Sequence, residues 1–385
     1  MMRTLVTLFF CGDLMIGRGI DQILPASNPP ILFEPYVKDA RMYIALAERR
    51  NGSIPTKVDH RYIWGDALEI LDQIRPEARI VNLETSITQS DDFWPNKGIH
   101  YRMHPDNVEV LKFAEIDCCV LSNNHTADLG FRGLSETVET LGRAGIKPAG
   151  AGATASEAAA PAILEIGPGR RLLVFGYGSD SAGVPARWAA GASSPGVNFL
   201  PDLSPSTAAG VIESIRRQSR PEDLVIFSVH WGSNWGYDVP DEQIAFARRL
   251  IDSGAVDLVH GHSSHHVRPL EIYKGKLIIY GAGDFLNDYE GIEGDESFRS
   301  DLALMYFPTL DAQTGELVRL RMFPLQIYRF SLRRASEGDA DWLSRILTRE
   351  SQSFGTSIKR ENGWLEVKPA PDEPVPSPFG SGDDL

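Results

Sequence analysis

Six apolar runs punctuate the chain, and each stops on residues that handle protons or metals. They are residues 5–13 (LVTLFFCGD), 79–84 (RIVNLE), 117–125 (DCCVLSNNH), 223–231 (DLVIFSVHW), 256–266 (VDLVHGHSSHH) and 276–284 (KLIIYGAGD). Short, uninterrupted and rich in Val, Ile, Leu and Phe, such runs predict buried strands. Between them, helical spacing of apolar positions predicts helices over 38–50, 65–74, 107–114, 135–144, 206–218, 241–252 and 339–350. The helix over 241–252 opens on acidic residues and stops at Gly254, as dipole and C-cap preferences require. Hairpins are expected around Gly167-Pro168-Gly169 and Lys274-Gly275, with further strands over 302–307 and 317–324. The paired strands near 162–177 look like the start of a second sheet. Residues 25–75 form an irregular insertion, and 179–205 a long loop carrying Trp188. No internal repeat is evident. Alternation of β and α early, with hairpins later, predicts a two-sheet α/β domain over residues 1–368 with helices outside, followed by a Pro-, Asp-, Gly- and Ser-rich disordered tail at 369–385.

The ends of the runs carry the chemistry. Four of the nine histidines, His260, His262, His265 and His266, fall within seven positions. A cluster of this kind can simply titrate on a surface loop. Repetition of the same grammar in five other runs argues instead for convergence, because ligands in open α/β sheets gather beyond the carboxyl ends of strands. Carboxylate, amide and imidazole donors together suit a metal site. Arg102 and Arg18 could clamp an anion through the planar guanidinium fork, a solvated surface arginine being the alternative for Arg102. His60, His100 and His104 lack companions and are expected to be structural.

Composition narrows the partners. A hydrophobic share of 42% allows a large core, and a formal net charge of −14 argues against nucleic acid or anionic membrane as the main partner. A small or polymeric anionic substrate is still compatible with a local cluster of cations. Cys11, Cys118 and Cys119 sit in apolar contexts and are expected to be reduced core residues. The N-terminal run is short, interrupted by Thr7 and without a cleavage pattern. No stretch reaches the ~20 apolar residues of a membrane span. The expectation is a cytoplasmic protein.

Segments 12–18 (GDLMIGR), 81–88 (VNLETSIT), 122–130 (SNNHTADLG), 229–237 (VHWGSNWGY), 261–271 (GHSSHHVRPLE) and 280–292 (YGAGDFLNDYEGI) resemble the CapA family of poly-γ-glutamate, or capsule, synthesis proteins, related to calcineurin-like metallophosphoesterases. The likeness spans about residues 4–368. It implies a four-layer α-β-β-α sandwich of two sheets holding two divalent ions, Mn, Fe or Zn. By resemblance, Asp13, Asn124, His230, His262 and His265 are metal ligands, His125 protonates a leaving group, and Asp128 orients its ring. The resemblance departs from the superfamily pattern at Met15, which stands where a histidine is expected. The bridging carboxylate position falls to Glu84 or, second, Asn82. His265 and His266 compete for one role, and Asp284 and Asn287 are either supporting groups or turn residues. Asn123 and His266 join Arg18 and Arg102 as expected substrate contacts. The function implied is metal-dependent hydrolysis of a phosphoester or a poly-γ-glutamate-related anion, with non-hydrolytic participation in capsule synthesis or export as the alternative.

Overall fold

The computed structural model describes residues 4–294 and 296–367. The tail expected at 369–385 lies outside the described residues. Strand Leu5–Leu14 is the hinge of the larger, ten-stranded sheet. On one side it pairs in parallel with Ala78–Leu83, which continues through Cys118–Val120 to Lys147–Ala149. On the other side it runs antiparallel to Leu302–Asp311, followed by Leu317–Ile327. The second sheet, of seven strands, has a parallel centre of Arg171–Ser179, Leu224–His230, Leu258–His262 and Lys276–Ile279. The hairpin partners Ala162–Glu165 and Leu270–Tyr273 join it antiparallel.

Strand alternation divides the apolar side chains into three cores. Because successive side chains point to opposite faces, Leu8 and Phe10 face the second sheet, where Leu172, Val174, Ile226, Leu258 and Ile279 meet them. Phe9 and Cys11 face outward under a helical layer that includes Ile20, Trp64, Leu71 and Leu134. On the far side of the second sheet, Phe175, Phe227 and Val229 pack against Ala208, Ile215, Phe246 and Leu250 of the helices Pro205–Gln218 and Asp241–Asp252. The result is the four-layer α-β-β-α sandwich. Both sheets are covered on both faces, which is why their central strands read as unbroken apolar runs. The segment 25–75 contributes Tyr43, Ala47, Ile54 and Trp64 to the outer core of the larger sheet, and Trp64 Nε1 donates to the Val110 carbonyl at 2.8 Å.

Three elements depart from the periodicity. The helix expected over 135–144 begins earlier, as Gly130–Arg143, because Leu134 extends the apolar face past Gly133. The expected helix at 107–114 is a 3₁₀ turn, Pro105–Val108, running into the helix Glu109–Phe113. Most consequentially, the run 276–284 is two strands in different sheets. Lys276–Ile279 ends in the second sheet, and Asp284–Leu286 pairs in parallel with Leu5–Leu14 in the first, with Asp284 opposite Asp13. The crossing depends on glycine. Gly283 has φ +82°, its carbonyl accepts from the Asp13 N–H at 2.9 Å, and a Cβ on Gly12 would lie 1.7 Å from that oxygen.

Gly12→Ala is therefore predicted to cost about 3 kcal/mol, as overpacking of backbone against backbone. Urea unfolding midpoints measure it, and a loss under about 0.5 kcal/mol would show that the crossing is not tight.

Candidate metal centre

The parallel register brings the strand ends into one plane. Asp13 lies opposite Asn82 and Asp284 in the larger sheet, and His230 opposite His262 in the second. The two sheets thus present their carboxyl ends to a shared volume. Within it, candidate donor atoms form two groups that share Asp13. One is Asp13, His230 and His262, and the other is Asp13, Glu84 and Asp284, with all donor atoms of a group within 4.8 Å of one another. All five residues are buried. His230 Nδ1 stands 4.0 Å and His262 Nδ1 3.9 Å from Asp13 Oδ1, and the two ring nitrogens are 2.9 Å apart. Asn124 Oδ1 lies 3.0 Å from His230 Nε2, the ring nitrogen opposite the one that faces Asp13 and His262. His265 joins the carboxylate group through Asp284 Oδ1 at 2.9 Å.

The backbone is bent to serve this arrangement. Ser263, just after His262, has φ +102°, unusual for a residue with a side chain, and its N–H donates to Asp13 Oδ2 at 3.1 Å. Strain of this kind persists only where surrounding structure holds it. Asn82 Nδ2 donates to Asp13 Oδ1 at 2.7 Å, which fixes the carboxylate plane.

Electrostatics show what this donor set attracts. Burial, followed by repulsion from Asp284, pushes Asp13 up to about 8. Glu84 is raised well above its ordinary value by burial and by Asp13 and Asp284, and its buried Oε2 finds no hydrogen-bond partner among the described residues. Burial holds His230 and His262 well below the usual imidazole range, so both rings are neutral and offer lone pairs. Crowded carboxylates short of positive charge, beside neutral imidazoles, are the donor set a divalent cation satisfies. The residues fit the group.

Beside this centre, His125 Nδ1 is 2.6 Å from Asp128 Oδ2, and its Nε2 faces Glu84 Oε1 at 3.8 Å. Lys97 Nζ pairs with Asp128 Oδ1 at 2.6 Å. Burial presses the His125 pKa down to about 3 even with Asp128 opposing it.

Four expected substrate contacts lie elsewhere. Arg18 is 4% exposed and its guanidinium is taken up by Asp288 and Glu34, so it is an internal ion pair and not an anion clamp. Arg102 turns away and donates to the carbonyls of Ser90 and Pro29 at 2.9 and 3.1 Å. Asn123 spends its amide on the structure: Nδ2 donates to Asn82 Oδ1 and the Leu83 carbonyl, while Oδ1 accepts from the His125 N–H and the Thr126 hydroxyl. His266 is buried among Trp235, Tyr237 and Phe298. His260 is internal too, spanning Ser228 Oγ and the Cys11 carbonyl. Asp284, left open between a supporting and a turn role, stands among the donors. Lys97 and Tyr101 were not singled out for this site, although Lys97 lies in the polar loop that follows Glu84.

The sequence profile described as "Bacterial capsule synthesis protein PGA_cap" matches residues 7–289. The chain belongs to this PGA_cap family. A relative from Mycobacterium tuberculosis, named "Probable polyglutamine synthesis accessory protein", is 47% identical over 367 residues, covering 95% of this chain and 96% of the relative. The "PGA biosynthesis protein CapA" of Bacillus subtilis is 29% identical over 280 residues, 72% of this chain and 62% of that one. A crystal structure described as a novel phosphatase from Mycoplasma pneumoniae superposes with a TM-score of 0.46 at 14% identity, over 84% of this chain and 95% of that one, too loosely to transfer chemistry. The PGA_cap match runs from the Asp13 strand past Asp284, so it encloses every donor of the centre. The antiparallel strands Leu302–Asp311 and Leu317–Ile327 fall beyond it and extend the same sheet.

The PGA_cap centre has a predictable pH signature. Asp13 has a folded pKa of about 8, above its unfolded value of about 3.9, so in metal-free protein it contributes stability at low pH that is lost as pH rises towards 8. The depressed His230 and His262 act oppositely and weaken the fold as pH falls below about 6.5. Mn²⁺ competes with the Asp13 proton, so its addition to chelator-treated protein is predicted to raise the melting temperature more at pH 8 than at pH 6. Asp13→Asn should shrink the difference, leaving only the part that the raised Glu84 supplies. Equal shifts at both pH values in the wild type would contradict the assignment of Asp13 as the shared donor.

Proposed function

We propose that this PGA_cap protein is a metal-dependent hydrolase of an anionic substrate, a phosphoester or an anion related to poly-γ-glutamate. The observation that carries the reading is the pair of buried donor groups sharing Asp13, set directly beside the His125–Asp128 pair. Asp13, Glu84, Asp284 and His265 would hold one divalent ion, and Asp13, Asn124, His230 and His262 a second, with Mn, Fe and Zn all suited to the mixed set. Bound ions of this kind supply Lewis acidity to a substrate oxygen and lower the pKa of water.

The chain's own residues supply the proton chemistry. Asp128 accepts from His125 Nδ1–H, so Nε2 of the neutral ring, the form its depressed pKa favours, is an acceptor that becomes a donor only after taking up a proton during turnover. That nitrogen opens toward Glu84, at the edge of the centre, where a leaving oxygen would sit. Asp128 is itself fixed by Lys97 and by the Tyr101 N–H at 2.7 Å, which leaves the imidazole one orientation. Because both sheets contribute donors, residues 1–368 are taken as one functional unit. A cytoplasmic site of action belongs to the same reading and is supported by three buried cysteines without disulfides. Among the described residues no helix is long and apolar enough to cross a membrane.

A second reading, a non-hydrolytic part in making the polymer, draws on the word "accessory" in the name of the mycobacterial relative. Assay of Mn²⁺-loaded protein against aryl phosphate mono- and diesters and against poly-γ-glutamate separates the two. The hydrolase reading predicts turnover that falls about 10²–10⁴-fold in His125→Asn and disappears in Asp13→Ala and His262→Ala. Turnover no greater than in those last two variants would leave the non-hydrolytic role.

A further inference from the structure

Two tyrosines wall the centre between His125 and His265. The Tyr101 ring stacks on His125 with centroids 3.8 Å apart, and Tyr289 meets His265 edge-on at 5.6 Å. Their hydroxyl oxygens are 2.6 Å apart, although the residues are 188 positions apart in sequence. One hydroxyl donates to the other, and that single bond uses only one of the two hydroxyl hydrogens. Among the described residues no carbonyl or carboxylate accepts the second one.

The pair is held from both ends. The Tyr101 N–H is tied to Asp128, the partner of His125. The Tyr289 N–H donates to Asn287 Oδ1 at 3.1 Å, and Asn287 Nδ2 donates to Asp284 Oδ2 at 2.8 Å. Behind the rings lies Arg18, its guanidinium carbon 4.9 Å from the Tyr101 centroid and 5.7 Å from that of Tyr289. That charge is already committed to Asp288 and Glu34, so it reaches the site only through the aromatic rings. Tyr101 is 3% exposed and Tyr289 half-buried, which makes Tyr289 the outer member. A hydroxyl that accepts from Tyr101 has its own hydrogen free to point away, toward whatever occupies the centre.

We propose that Tyr289, held in place by Tyr101, donates its hydroxyl hydrogen to an oxygen of the anionic substrate and so supplies the oxyanion contact that Arg18 and Arg102 do not make. The inference rests on the hydrolase reading above and deepens it. A neutral donor suits a pocket built around carboxylates, because it binds a substrate oxygen without competing as a cation for Asp13 or Glu84. The oxyanion chemistry is shared by a phosphoryl group and by a glutamyl carboxylate.

Titration calorimetry on Mn²⁺-loaded wild type, Tyr289→Phe and Tyr101→Phe, with inorganic phosphate and with γ-glutamyl-glutamate as separate ligands, tests it. The expected result is phosphate binding weakened about tenfold in Tyr289→Phe, the scale of one hydrogen bond to a charged group. Tyr101→Phe should lose less, since Tyr289 keeps its own hydrogen. Manganese stoichiometry should match the wild type in both variants, and both lose the same hydroxyl–hydroxyl bond and so a similar few degrees of melting temperature, which leaves the difference in phosphate binding between them to separate a ligand contact from a packing defect. Phosphate bound equally by wild type and Tyr289→Phe overturns the proposal and leaves the hydrolase reading standing. Tyrosine-dependent binding of the dipeptide alone supports the contact and overturns the phosphoester form of that reading. Neither ligand binding to the wild type overturns both.

Discussion

Repulsion between buried carboxylates is the constraint around which this molecule is built. Asp13, Glu84 and Asp284 come together where the two sheets expose their strand ends, with little water to screen them. Few folded proteins tolerate such crowding without a compensating cation. Much of the local architecture works to enforce it. The Gly12–Gly283 approach carries the chain between sheets, Ser263 adopts a strained conformation to donate to Asp13, and Asn82 pins the carboxylate from the other side. A fold that only needed stability would have placed apolar side chains here.

Around this negative centre the charges are sorted by distance. Arg18 is close enough to be mistaken for a substrate clamp, yet it is cancelled by Asp288 and Glu34 and covered by Tyr43. Lys97 is committed to Asp128. Positive charge is therefore kept one residue away from the donors, and the immediate walls are neutral: imidazoles, amides and phenols. That arrangement leaves the carboxylates available to a divalent ion, where a lysine or arginine in contact would have neutralised them.

How much of this was legible in the sequence follows from the same physics. Parallel strands buried on both faces give uninterrupted apolar runs, so six strand-like segments and the polar residues ending them stood out directly. Asp13, Glu84, Asn124, His230 and His262 all lie in or at the ends of those runs, their ligand roles come from the family resemblance, and the structure brings them close together. Asp284 was harder, because its run looks like one strand; the change of sheet hides in Gly281 and Gly283, which are small residues without a periodic signal. Arg18 and Arg102 look like anion clamps in the sequence because their partners are remote or are carbonyls. Asp288, for example, lies 270 residues from Arg18. The choice between His265 and His266 turns on the direction of two adjacent side chains, one toward Asp284 and one into an aromatic cluster. Long-range pairing of this kind carries no local pattern.

The most direct measurement is anomalous diffraction at the manganese edge from crystals grown with Mn²⁺. The account predicts two peaks on either side of Asp13, one against Glu84 and Asp284 and the other against His230 and His262. Density at neither position, with Asp13 and Glu84 still packed together, would contradict it.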